Sequence, residues 1–86
     1  MKISALVTKK QSDKTILIGY KSNPLNIGYE FAYVSREGLE QMGVSLDEGT
    51  KFTIDCNGVA TQQIVNDKDE PLTHQDGTPV MRLIVQ

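Results

Sequence analysis

Aromatic side chains are concentrated in one short part of the sequence, beside basic ones. Four of the five aromatic residues fall within fourteen positions: Tyr20, Tyr29, Phe31 and Tyr33. Proteins bind single-stranded nucleic acid by stacking bases on aromatic rings and placing Lys and Arg along the phosphates. We therefore consider the three tyrosines as stacking candidates. Phe31 is expected in the core, because a phenol tolerates a wet edge better than an unsubstituted ring. The alternative is structural, because aromatic residues at every second position of a strand often form its buried face.

Basic residues are gathered at the start of the chain, although the net charge is −2. Five lysines precede position 22, with only Asp13 opposing them, and most acidic residues lie in the second half. The lysines that could contact phosphates are Lys9, Lys10, Lys14 and Lys21. Such an uneven distribution can present a basic face despite an acidic total. The alternative explanation for the uneven distribution of charge is an ordinary solvated surface on which the charges are segregated by chance.

Residues for catalysis or metal binding are few. His74 is the only histidine, and its polar, turn-rich surroundings do not favour a Ser–His–Asp or Cys–His arrangement. Cys56 is the only cysteine, so a structural zinc site has too few ligands and no intrachain disulfide can form. We expect His74 in an exposed loop and Cys56 on an inward strand face. The acidic residues Asp67, Asp69 and Glu70 lack the glycine and distal glutamate of a calcium loop. The sequence therefore predicts a protein that is not an enzyme and that uses no cofactor, metal or small-molecule substrate.

Alternation of apolar and polar residues predicts six strands and one short helix. The strands are expected at Ile3–Thr8, Thr15–Lys21, Tyr29–Val34, Lys51–Cys56, Val59–Val65 and Val80–Val85. Ser35 is a suitable N-cap for a helix over Arg36–Met42, and Gly43 suits its left-handed end. Asn57-Gly58 is typical of a two-residue hairpin between the fourth and fifth strands.

These elements predict one domain over residues 1–86. Its fold class is mainly β: a small OB-like antiparallel barrel of five to six strands with one short helix. A chain of 86 residues has a thin core, so we expect a homodimer that buries additional surface. No long apolar run indicates a membrane segment, and the single cysteine fits a cytoplasmic protein.

Several short segments resemble the single-stranded-DNA-binding gene V-type proteins of filamentous phages. They are Leu25-Asn26, Tyr33-Val34 and Leu46-Asp47-Glu48-Gly49, in a chain of similar length that has a strand near its start. The resemblance implies a dimeric OB-like barrel that binds single-stranded DNA through tyrosines and basic residues. It suggests Tyr20, Lys21, Tyr29 and Arg36 as contacts. The family's basic, glycine-containing DNA-binding loop is replaced here by Ser22–Gly28.

Residues 34–54 are similar to the strand–helix–strand joint of AbrB-like swapped-hairpin proteins. That joint has a short helix ending at a glycine, a turn containing glycine and then an alternating strand. The similarity implies a dimeric regulator that binds duplex DNA. A third alternative, which the acidic composition favours, is a phage- or plasmid-type module that binds another protein. Single-stranded DNA binding is the leading expectation.

Overall fold

Six strands and one short helix follow one another in the computed structural model, which describes residues 1–86. The elements are β1 (Lys2–Gln11), β2 (Thr15–Lys21), β3 (Glu30–Ser35), α1 (Arg36–Gln41), β4 (Lys51–Asp55), β5 (Val59–Gln63) and β6 (Met81–Val85). The predicted mainly β fold with a single helix is confirmed. No helix has the length and apolar character that crossing a membrane requires.

All six strands belong to one sheet, in the order β4-β1-β2-β3-β6-β5. Neighbouring strands are antiparallel except β3 and β6, which are parallel, with Tyr33 paired to Arg82. The two edge strands do not pair with each other, since β4 pairs with β1 and β5 with β6. The sheet is therefore not closed, and the predicted OB-like antiparallel barrel is not confirmed.

The predicted hairpin at Asn57-Gly58 is wrong, because these residues join the two opposite edges of the sheet. Asn57 N donates to Gln86 O at 2.8 Å and Gln86 N donates to Gly58 O at 2.9 Å, so the link bonds to the end of β6. The four peptide steps from Asp55 to Val59 reach at most about 15 Å. A flat sheet of six strands would be about 24 Å wide. The sheet must therefore curl strongly to bring its edges together at this corner.

The core lies on the concave side of the curled sheet. Its members are Ile3, Ala5, Val7, Ile16, Ile18, Tyr20, Ala32, Leu39, Ile54 and Cys56. Alternate residues of β1 from Ile3 to Val7 and of β2 from Ile16 to Tyr20 belong to it, as the alternation in the sequence predicts. Cys56 is a buried free thiol, in agreement with its expected inward position.

Helix α1 packs on the core through one buried leucine. The Ser35 side chain accepts a hydrogen bond from Gly38 N at 3.3 Å, which caps the helix as predicted. Gly43 has φ of 75°, and Val44 N donates to Leu39 O at 3.1 Å, which ends the helix. Leu39 is 4% exposed. This short helix is therefore held by its two ends and by Leu39.

Candidate nucleic-acid interface

The convex side of the sheet carries aromatic side chains, and we call this surface the open face. Its residues on the central strands are Leu17, Gly19 and Lys21 of β2 and Phe31 and Tyr33 of β3. Leu17 pairs with Tyr33 and Gly19 with Phe31, so these side chains share one side of the sheet. The open face is therefore the opposite side from the core residues Ile16 and Ile18.

Phe31 is 55% exposed, so its expected core position is wrong. The strand buries Ala32 instead, which is 1% exposed and pairs with Ile18 of the core. Because neighbouring residues of a strand point to opposite sides, burying Ala32 turns both Phe31 and Tyr33 to the open face. A large apolar ring thus lies in solvent at the middle of the sheet.

Gly19 has no side chain, and two aromatic residues occupy the space above its backbone. A Cβ atom at this position would lie 3.3 Å from Phe31 Cε1 and 3.3 Å from both Cβ and Cδ1 of Tyr29. Such separations are tighter than ordinary van der Waals contact. The absence of a side chain therefore allows Tyr29 and Phe31 to pack directly against the backbone of β2.

A groove of about 740 Å³ crosses the open face at one end. Its lining includes Lys10, Phe31, Tyr33, His74 and Asp76. The rings of Tyr33 and His74 stack with centroids 6.3 Å apart and an interplanar angle of 30°. His74 is only partly exposed, in contrast to the free loop position expected for it. The segment between β5 and β6 carries it to Tyr33, so no local sequence signal could have indicated the contact.

Asp76 is held in a turn beside this aromatic pair. Its Oδ1 accepts hydrogen bonds from Thr78 Oγ1 at 2.6 Å and from Thr78 N at 3.0 Å. The hydrogen bond from the Thr78 side chain is the main cause that lowers the pKa of Asp76, and the charge of His74 lowers it slightly further. His74 N in turn donates to Thr78 O at 2.7 Å, so the same turn positions the imidazole.

A second groove, of about 390 Å³, lies at the other end of the open face. It is lined by Lys21, Pro24, Tyr29, Lys51 and Thr53, among others. Lys21 Nζ lies 4.9 Å from the centroid of the Tyr29 ring, which is a cation–π distance. Lys51 was not predicted as a site residue, because only the pairing of β4 with β1, which sets Lys51 opposite Leu6, brings it to this groove.

Tyr20 cannot serve as an exposed stacking residue, because its side chain belongs to the core and is only 4% exposed. It alternates with Ile16 and Ile18 on the concave side of β2. Burial raises the pKa of its hydroxyl, with a smaller contribution from the Glu30 carboxylate. The expectation that Tyr20 lies at a wet edge is therefore wrong.

Three of the predicted basic residues lie away from the two grooves. Arg36 Nε is 3.5 Å from Glu40 Oε1, and its guanidinium donates to Ser12 O at 3.2 Å. Lys14 and Arg36 share a polar depression with acidic side chains near the start of α1. Lys9 is exposed on β1 and lines neither groove.

The structure thus divides the eight predicted site residues into two sets. Lys10, Lys21, Tyr29 and Tyr33 line the two grooves of the open face. Lys9, Lys14, Tyr20 and Arg36 lie elsewhere. The open face also includes Phe31, Lys51 and His74, which sequence reasoning did not assign to it.

No three His, Cys, Asp or Glu side chains form a group that could hold a metal ion. Comparison with protein-family models, curated proteins and solved structures finds no match to this chain.

Proposed function

We propose that this protein binds single-stranded nucleic acid, and DNA in particular, across the open face without catalysing a reaction on it. The observation that carries the proposal is the exposed ring of Phe31 between Tyr29 and Tyr33 on one side of a sheet. A soluble chain with a thin core gains no folding free energy from a phenylalanine that it leaves in water. A base stacked on that ring would remove its apolar surface from solvent.

The three aromatic rings form a platform, and basic side chains border it. Stacking of a base on an aromatic side chain contributes about 1–3 kcal/mol and tolerates any base. Lys21 and Lys51 lie at one end of the platform and Lys10 at the other. Arg82 is paired with Tyr33 on the neighbouring strand. These cations could follow the phosphates while the bases contact the rings.

A single strand suits this surface better than a duplex does. The bases of a duplex are already stacked on one another and paired, so their faces are not available to Phe31 and Tyr33. The carboxylate of Asp76 in the Tyr33–His74 groove also favours a base over a phosphate at that position, because like charges repel.

The test is a titration at low salt with oligo(dT) and with a duplex of equal length, followed by tyrosine fluorescence. We expect oligo(dT) to bind and to quench the tyrosines. Phe31→Ala should weaken binding about tenfold or more, the effect of losing one stacking contact. The matched control is Met42→Ala, since Met42 is 53% exposed but lies beside α1 on the concave side.

Three outcomes would contradict the proposal. Equal affinity of Phe31→Ala and the unchanged protein for oligo(dT) would exclude the open face as the site. A clear preference for the duplex would favour the AbrB-like regulator instead. Absence of binding to either form of DNA at low salt would favour a module that recognises another protein.

A further inference from the structure

Strand β5 leaves one row of its backbone groups without a partner. It pairs only with β6, in a register that places Thr61 opposite Leu83. Ile64 N donates to Val80 O and Gln86 N to Gly58 O, so the even-numbered residues are those that exchange hydrogen bonds with β6. The N–H and C=O groups of Val59, Thr61 and Gln63 therefore point away from the sheet.

The two edges of the sheet differ in how they are protected. In β4, Cys56 N donates to Met1 O, so the even-numbered residues exchange hydrogen bonds with β1. The backbone groups of Lys51, Thr53 and Asp55 therefore point away from the sheet. Charged residues thus occupy both ends of that edge. The sequence of β5, VATQQ, has neither charge nor proline. Natural proteins usually place such residues on a free edge to prevent it from pairing with another chain.

We propose that β5 pairs antiparallel with β5 of a second copy of this chain, around a two-fold axis at Thr61. Thr61 then lies opposite the partner's Thr61, and Val59 lies opposite the partner's Gln63. All three outward-facing residues exchange backbone hydrogen bonds in this register. The inference stands on the edge of the sheet and does not depend on nucleic-acid binding.

The side chains favour this register, as the backbone hydrogen bonds do. A two-fold interface must be complementary to itself, so any charge near the axis would meet its own copy. Strand β5 has none, and a directly opposed pair of threonines is a favourable cross-strand pair. The curled sheet would become one continuous sheet across the two copies.

Sedimentation velocity over a range of protein concentrations tests the interface. We expect a dimer that forms reversibly at micromolar concentrations, since one pair of strands makes a small contact. Thr61→Lys places two ammonium groups opposite each other and should weaken the dimer about tenfold or more. Thr53→Lys is the matched control: it changes an exposed threonine that faces outward on the other edge, and it should leave the dimer intact.

Cross-linking provides a second measurement, which detects the paired strands directly and does not rely on a substitution that weakens the dimer. Cα atoms of a hydrogen-bonded antiparallel pair lie about 5.5 Å apart, which is within the range for a disulfide. Thr61→Cys should therefore give a disulfide-linked dimer on mild oxidation, whereas Thr53→Cys should not. The native Cys56 is only 8% exposed and does not interfere.

A protein that stays monomeric at several hundred micromolar would overturn the proposal, because that concentration is far above the micromolar range in which the dimer is expected. The proposal is also overturned by a dimer that Thr61→Lys does not weaken, by equal dissociation with Thr53→Lys, or by a Thr61→Cys protein that does not cross-link. Hydrogen exchange adds a direct readout. The amides of Val59, Thr61 and Gln63 should become protected as concentration rises, and constant fast exchange would contradict the pairing.

Discussion

At the scale of single residues, the smallest side chain has the clearest effect on the candidate site. Gly19 lies under the rings of Tyr29 and Phe31, which approach to within 3.3 Å of where its Cβ would be. Its φ is not positive, so the glycine is there for space and not for an unusual backbone conformation. The pairing of β2 with β3 is regular at Gly19, and the register shift of the sheet lies between Val7 and Gln11 of β1.

Gly19→Ala should therefore affect binding more than stability. The added methyl group displaces the rings of Tyr29 and Phe31 from the sheet. Affinity for oligo(dT) should fall about threefold, as if half of one stacking contact were lost. The free energy of unfolding should change by less than about 1 kcal/mol, because the methyl group also restricts the unfolded chain.

Gly28→Ala is the control for this substitution, since nothing lies within 4 Å of a Cβ at Gly28. Binding is measured by fluorescence titration and stability by denaturant unfolding. If Gly19→Ala and Gly28→Ala bind oligo(dT) equally well, the contact between Gly19 and the aromatic rings has no role in binding.

At the scale of elements, helix α1 depends on its ends more than on its own sequence. It has six residues, includes Gly38 and is too short to be stable in isolation. Its attachment consists of the Ser35 cap, the Gly43 end and the buried Leu39. Residues 35–43 show these features as predicted.

Ser35→Ala should lower the free energy of unfolding by about 1 kcal/mol, because Gly38 N loses its acceptor. Ser35→Asp should retain most of the stability, since aspartate is an equally good N-cap. Both values are obtained from urea or guanidinium unfolding. Equal stability of Ser35→Ala and the unchanged protein would show that the cap contributes nothing, and the helix would then depend on Leu39 and Gly43 alone.

At the scale of the whole molecule, charge must be considered by surface. The net charge is −2, yet Lys10, Lys21, Lys51 and Arg82 are located at or beside the open face. Binding of a single strand releases counterions in proportion to the phosphates that cations neutralise. The local distribution of charge, and not the total, should therefore set the salt dependence.

The slope of log affinity against log salt should be about −3 if all four cations contact phosphates, at about −0.7 for each contact. Lys21→Gln should make the slope less steep by about 0.7. Lys9→Gln should leave it unchanged, because Lys9 lines neither groove. A slope near zero, or an equal effect of both substitutions, would contradict the placement of the phosphates along these residues.

Local patterns in the sequence determined most of the elements of this protein. The alternation in β1 and β2 specified which side chains are buried, because neighbouring residues of a strand point to opposite sides. Ser35 and Gly43 marked the ends of α1 because capping depends on a few adjacent residues. The concentration of tyrosines and lysines also indicated a surface that includes Lys10, Lys21, Tyr29 and Tyr33.

Only the tertiary structure decided how the strands pair, and therefore which residues meet. Asn57-Gly58 has the local chemistry of a hairpin, but β5 finds its partner in β6, far along the chain. The two sides of β3 both carry apolar residues, so only packing against Ile18 shows that Ala32 is buried and Phe31 exposed. The contact of His74 with Tyr33 has the same origin. Such pairings depend on free energies summed over the whole sheet, which no short segment of sequence contains.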